Sequence, residues 1–147
     1  RDMFASFGNI EELHGVNSRQ FWCEIRDAKP FAGDSRALWR ISLPPTAGAR
    51  LIARLQEIIV AEAFIDWAGG LVWLAVAAEE DASAPVVRES AKAEGGHATL
   101  VRAPGDIRAA VPVFQPLAPA IAELSARLKE SFDPTCVLNP GRMYAGV

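Results

Sequence analysis

Four short stretches of this 147-residue chain hold side chains suited to binding or to acid–base work. Arg40 interrupts the otherwise apolar run 37–43, Ala-Leu-Trp-Arg-Ile-Ser-Leu, and Asp66 ends a second run. A guanidinium binds a carboxylate through two parallel hydrogen bonds, so Arg40 suits a carboxylate ligand or a docked partner. A strand-end ion pair between Arg40 and Asp66, or a solvated sheet face, is the plainer alternative. His97 follows Gly95-Gly96, where an imidazole serves as general base or hydrogen-bond donor if a pocket closes over it. Most histidines in such turns are satisfied surface residues. The tail 133–144, Asp-Pro-Thr-Cys-Val-Leu-Asn-Pro-Gly-Arg-Met-Tyr, carries two Asx-Pro turns, a glycine and an arginine. That is more turn chemistry than a helix stop requires, and it predicts a rigid, specifically shaped loop. Cys136 has no base or cationic neighbour in sequence that would make it a nucleophile.

The elements that must position these residues follow from periodicity and punctuation. Residues 37–43 alternate as a strand and stop at Pro44-Pro45, with Leu38, Arg40 and Ser42 on one face and Trp39, Ile41 and Leu43 on the other. Thr46 is the expected N-cap of a helix over about 47–61, with Leu51, Leu55, Ile58 and Ile59 as its apolar stripe. Residues 62–67 and 71–77 read as strands joined by Ala68-Gly69-Gly70, a tight hairpin with positive φ at the glycine pair. After a polar break at 81–85, with Ser83 as cap, a helix over about 84–93 stops at Gly95-Gly96. A fourth strand over 98–102 ends at 103–106. A last helix over about 119–132 follows. Leu117, Ile121, Leu124, Leu128 and Phe132 recur at spacings of four, three, four and four, which predicts one buried face.

Residues 1–36 show no clean period and read as an irregular N-terminal segment of short helical turns, a flap before the domain at 37–147. The order β-α-β-β-α-β predicts an α+β, ferredoxin-like antiparallel sheet with helices on one face, extended by a C-terminal helix and tail. One sheet face is then left for something else to cover or use.

Composition narrows the classes. The chain is 50% hydrophobic and 22% charged, with a net charge of −3, which excludes a disordered segment and gives no basic nucleic-acid footprint. Its longest apolar run, 68–78, is far short of the ~20 residues that span a bilayer. No signal peptide is expected from its opening residues. Two cysteines and two histidines, far apart, predict neither a disulfide framework nor a metal centre, and the plain expectation is reduced thiols in the cytoplasm.

Phe132-Asp133-Pro134 with 139–144, Asn-Pro-Gly-Arg-Met-Tyr, resembles the C-terminal signature of FAD-linked oxidases of the vanillyl-alcohol-oxidase type. The run 38–46, Leu-Trp-Arg-Ile-Ser-Leu-Pro-Pro-Thr, the Asp66-Trp67-Ala68-Gly69-Gly70 turn and 95–100, Gly-Gly-His-Ala-Thr-Leu, narrow this further. Together, over about residues 20–147, they resemble the C-terminal half of the FAD-binding subunit of bacterial glycolate oxidase. The resemblance implies a cap domain that lays its sheet over a flavin held mainly by an N-terminal FAD-binding domain, and that helps form the site for a small 2-hydroxy acid. It implies a catalytic role for His97, substrate contacts from Arg40, Asp66 and Arg142, and cofactor contacts from Asn139 and Arg142. Two departures stand out: Cys136 occupies a position where glycine is common, and the metal-binding histidine cluster of related catalytic subunits has no match. The implied partners are a catalytic FAD subunit and an iron–sulfur subunit, in the cytoplasm or peripheral to the inner membrane through that complex. The isolated chain is expected to be inactive. A non-catalytic ligand-sensing or subunit-docking module on the same scaffold is the alternative, since this fold hosts many functions.

Overall fold

The structure, a computed structural model, describes Ser6, Gly8 and residues 11–144. The chain divides into two compact units, Arg1–Asp34 and Ser35–Val147. In the first, helix α1 spans Gly15–Arg26 without interruption, where the sequence suggested only short turns. None of its residues is buried, so no apolar face imposes a period and the pattern gave no sign of it.

The second unit carries strands β1 (Ala37–Ser42), β2 (Ala61–Asp66), β3 (Leu71–Val76) and β4 (His97–Arg102), with helices α2 (Gly48–Gln56), α3 (Ala84–Ala93), α4 (Gly105–Ala110) and α5 (Pro119–Phe132). The sheet order is β2-β3-β1-β4 and every neighbouring pair is antiparallel, the split βαβ arrangement expected from the element order. One face forms the core. Trp39, Ile41, Val72, Leu74, Ala98 and Leu100 meet Leu51 and Leu55 of α2 and Val87 and Ala91 of α3. Each large side chain buried this way contributes roughly 1.5–3 kcal/mol. The Trp39 indole N–H donates to the Ala82 carbonyl at 3.0 Å, and the Arg88 guanidinium lies 5.3 Å above the Trp39 ring. Arg88 also donates to the Pro112 carbonyl, fastening the segment after α4 to α3.

Several local expectations are corrected. Thr46 does not cap α2; residues Pro45–Ala47 form a 3-10 turn and Ala47 precedes the helix. The helix ends at Gln56 because the β-branched run Ile58-Ile59-Val60 leaves it for the next strand, so Ile59 packs on the core while Ile58 stays exposed. The β2–β3 connection is no two-residue hairpin. Trp67–Gly69 form a 3-10 turn with positive φ at Trp67, Ala68 and Gly69, whereas Gly70 sits at −81°. The Asp66 carboxylate starts that turn by accepting the Trp67 N–H at 2.7 Å.

Ser83 stands before α3, but its side chain makes no cap; its own N–H donates to Asp81 Oδ1 at 2.9 Å. The α3 stop behaves as expected. Gly95 at φ +75° donates to the Lys92 carbonyl and Gly96 to that of Ala91, the paired bonds of a Schellman motif.

Helix α4 was not anticipated, since Pro104-Gly105 read as a break rather than an entry. The predicted buried face of α5 is absent: no α5 residue is buried, and Ile121, Leu124, Leu128 and Phe132 are 51%, 59%, 58% and 80% exposed. The helical period is right, but nothing among the described residues covers the stripe it creates.

Candidate functional site

Strand alternation sends every second side chain to the sheet face opposite the core. Cross-strand register arranges them in rows: Asp66, Leu71, Ser42 and His97; then Phe64, Trp73, Arg40 and Thr99; then Glu62, Ala75, Leu38 and Arg102. A register shift in the β1–β4 pairing between Leu38 and Trp39 keeps Arg102 on this face and leaves Val101 exposed. Gly96 secures the start of β4. A Cβ there would stand 2.4 Å from the Ser42 carbonyl oxygen, so only glycine lets the turn approach closely enough to set His97 opposite Ser42.

Three sequence-predicted residues, Arg40, Asp66 and His97, therefore share one face. Arg40 and His97 lie diagonally on adjacent strands, within about 7–8 Å along the backbone. Asp66 is at the far edge, three strands from His97 and so about 14 Å away. The expected Arg40–Asp66 ion pair does not form. Instead the Arg40 guanidinium lies 5.5 Å from the centre of the Trp67 ring, and Asp66 is engaged by the Trp67 N–H. Among the described residues no carboxylate pairs with Arg40. His97 is exposed and has no side-chain partner there to orient it. Trp73, beside Arg40, stacks loosely on Phe64 with ring centres 6.4 Å apart, and its indole N–H is buried without a hydrogen-bond acceptor. This face is only partly exposed: Leu38, Leu71 and Ala75 are buried on it, whereas Arg40 is half-buried and His97 exposed, which leaves the Arg40 guanidinium as the group suited to a carboxylate.

The tail forms a second locus. Asp133, buried directly after α5, accepts the Val137 N–H at 3.0 Å on one carboxylate oxygen, and the Leu138 N–H at 2.9 Å and Lys129 Nζ at 2.5 Å on the other. Lys129 Nζ also donates to the Leu138 carbonyl at 2.6 Å. Lys129 foremost, then the Leu138 N–H and after it the Val137 N–H, hold the Asp133 carboxyl down to about 2, against the opposing effect of burial. These bonds fold the chain so that Asn139, with φ +48°, and Arg142 line a cavity of about 730 Å³ together with Arg108 and Phe114. His97 lines a neighbouring cavity of about 490 Å³ with Thr99, Phe114 and Tyr144. Phe114 borders both, because the Val113 carbonyl accepts the Leu100 N–H at 2.9 Å and lays this segment along β4.

The sequence-predicted residues therefore fall into two groups, Arg40, Asp66 and His97 on the sheet face and Asn139 with Arg142 at the tail cavity. Sequence reasoning missed Trp73, Arg108, Phe114, Lys129 and Asp133. A signal existed for Asp133: an acid at a helix C-terminus opposes the helix dipole and needs a compensating reason, here its hold on the tail. Cys136 is exposed with φ +53°, so the residue standing where glycine is common adopts a glycine-like conformation.

Fold and face define an α+β domain with one sheet face covered by α2 and α3 and an opposite face carrying Arg40, with no carboxylate partner among the described residues, and the exposed His97. The chain is 38% identical over 136 residues to the glycolate oxidase subunit GlcE of Escherichia coli (strain K12), a match covering 92% of this chain and 33% of that protein. The resemblance drawn from the four motifs is thereby borne out, and the chain spans about a third of the length of this curated relative. No protein-family model matches the chain, and no solved structure matches it significantly. Among the described residues no helix is long and apolar enough to cross a membrane, and no three His, Cys, Asp or Glu side chains gather as a metal site.

Proposed function

We propose that this chain is the C-terminal cap domain of an FAD-dependent oxidoreductase subunit of the glycolate oxidase kind, acting on a small 2-hydroxy acid. The observation that carries the reading is the 38% identity to the glycolate oxidase subunit. The placement of Arg40 and His97 on the sheet face opposite α2 and α3 supports it. FAD, when bound, supplies the acceptor for the hydride leaving the hydroxy-bearing carbon. Arg40, steadied on Trp67, holds the substrate carboxylate by a bidentate contact. His97, on the adjacent strand, takes the hydroxyl proton as general base. Asp66 fixes the Trp67 turn and so acts on the substrate through Arg40. Asn139 and Arg142 meet the cofactor from the tail.

The bare α5 stripe supports a covering partner, for which the chain's own N-terminal FAD-binding domain is the first candidate. A catalytic FAD subunit and an iron–sulfur subunit complete the proposed complex, in the cytoplasm or peripheral to the inner membrane. By this reading the isolated chain is inactive.

A chimera tests the proposal: the matched third of the Escherichia coli subunit is replaced by this chain, and glycolate-dependent dye reduction by the assembled complex is measured. Turnover within about tenfold of the parent, with Arg40→Ala raising KM and His97→Ala lowering kcat, is expected. A folded, flavin-loaded chimera in which neither substitution changes turnover refutes the assignment.

A further inference from the structure

We infer that the tail cavity is a binding site for the phosphate group of an organic phosphate. Three cationic residues reach it, Arg108 from α4, Lys129 from α5 and Arg142 from the tail, and among the described residues no carboxylate lines it. This concentration occurs in a chain whose overall charge is −3. Lys129 is already neutralised by Asp133 at 2.5 Å, whereas Arg108 and Arg142 have neither a carboxylate nor a side-chain hydrogen bond among the described residues. Among the described residues two guanidinium charges therefore remain uncompensated. A phosphate monoester carries −1.5 to −2 at neutral pH and offers three acceptor oxygens, so it matches that charge where a single carboxylate would leave half of it unmet.

The rest of the lining fixes the other half of the ligand. Phe114, Leu138 and Met143 present an apolar wall, and the cavity of about 730 Å³ lies within the usual range for small-molecule sites. Free phosphate would leave that wall wet; a phosphate carried on an aromatic or other apolar body covers it. Asp133 is the positioning residue, because its bonds to the Val137 and Leu138 N–H groups shape the loop that presents Arg142. The inference shares Asn139 and Arg142 with the cofactor contact proposed above and goes beyond it by assigning the cavity to a phosphate group, which a chain whose sheet covers no flavin would still bind.

The test is calorimetric titration of the purified chain with 4-nitrophenyl phosphate, with FMN, with their phosphate-free counterparts 4-nitrophenol and riboflavin, and with inorganic phosphate. Circular dichroism checks the fold of each variant. Saturable binding of at least one ester is expected, tenfold or more tighter than its phosphate-free counterpart and than inorganic phosphate. Binding should weaken about tenfold in Arg108→Gln and in Arg142→Gln, and stay unchanged in Arg54→Gln on the exposed side of α2. Binding of both esters supports a general organic-phosphate site, and binding of FMN alone supports a flavin phosphate. No saturable binding, equal binding of ester and counterpart, or folded Arg108→Gln and Arg142→Gln variants that bind like the parent would overturn the inference. The chimera assay reads turnover, so the flavin reading can fail there while this site survives, and the reverse.

Discussion

Gly69 offers the sharpest stability test, because the turn it closes carries Trp67 and through it Arg40. Its φ is +100°, and a Cβ there would stand 1.9 Å from the Pro45 carbonyl oxygen and 3.0 Å from the carbonyl carbon. Both are backbone atoms, so no side chain can swing aside. Moving Pro45 disturbs the 3-10 turn that leads into α2, where a Cβ on Gly48 would already lie 2.6 Å from the Gly69 oxygen. Gly69→Ala therefore combines a left-handed-backbone cost of about 1–2 kcal/mol with an overpacking cost of about 1–3 kcal/mol. A total near 3 kcal/mol lowers Tm by about 10 °C in a chain of this size. Two other glycines separate the contributions. Gly141→Ala has the positive φ, +67°, but open space, and should cost only about 1–2 kcal/mol. Gly105→Ala at the start of α4 has neither, and should be neutral or stabilise by up to about 1 kcal/mol. Urea and thermal unfolding of the three variants give the ranking. If Gly69→Ala lies within about 0.5 kcal/mol of Gly141→Ala, the close approach of the two turns is wrong.

Other expectations are as direct. Asp133 has its folded pKa lowered from 3.8 to about 2, so its contribution to stability is full above pH 3.8 and is lost as pH falls through that window towards 2. Asp133→Asn should lose this acid-dependent component, and stability–pH curves of parent and variant that stay parallel between pH 5 and 2 would contradict it. Arg88→Met removes the bond to the Pro112 carbonyl and the stacking on Trp39, and should cost about 2 kcal/mol by urea denaturation while loosening the segment that carries Phe114. Leu124→Gln with Phe132→Ser, both on the bare face of α5, should leave the isolated chain within about 1 kcal/mol of its parent yet weaken assembly of the chimera, read by size-exclusion chromatography.

What the sequence disclosed and what it withheld divide along physical lines. The succession of strands and helices from 37 to 102, the α3 helix and its glycine stop were legible because alternation and a left-handed C-cap are local signals. The period of α5 was equally clear, but whether a stripe is buried depends on what lies opposite, which no helix-local pattern states. Helix α4 escaped because six residues make too little periodicity to outweigh Pro104-Gly105. That Arg40 and His97 share one face was not legible, because the strand expected over 98–102 left His97 in the turn and alternation within one strand does not orient the next. Their separation from Asp66 needed the strand order, and the cationic cavity needed Arg108 and Arg142, thirty-four positions apart, to meet.

The central claim is the proposal that the sheet face opposite α2 and α3 covers a flavin. The most direct measurement loads the chimera with a photoreactive azido-FAD, illuminates it and maps the labelled peptides by mass spectrometry. Label on residues 38–42 of β1 or 97–102 of β4 is the result this account requires. Label absent from this chain, or confined to α2 and α3 on the other side of the sheet, would contradict it.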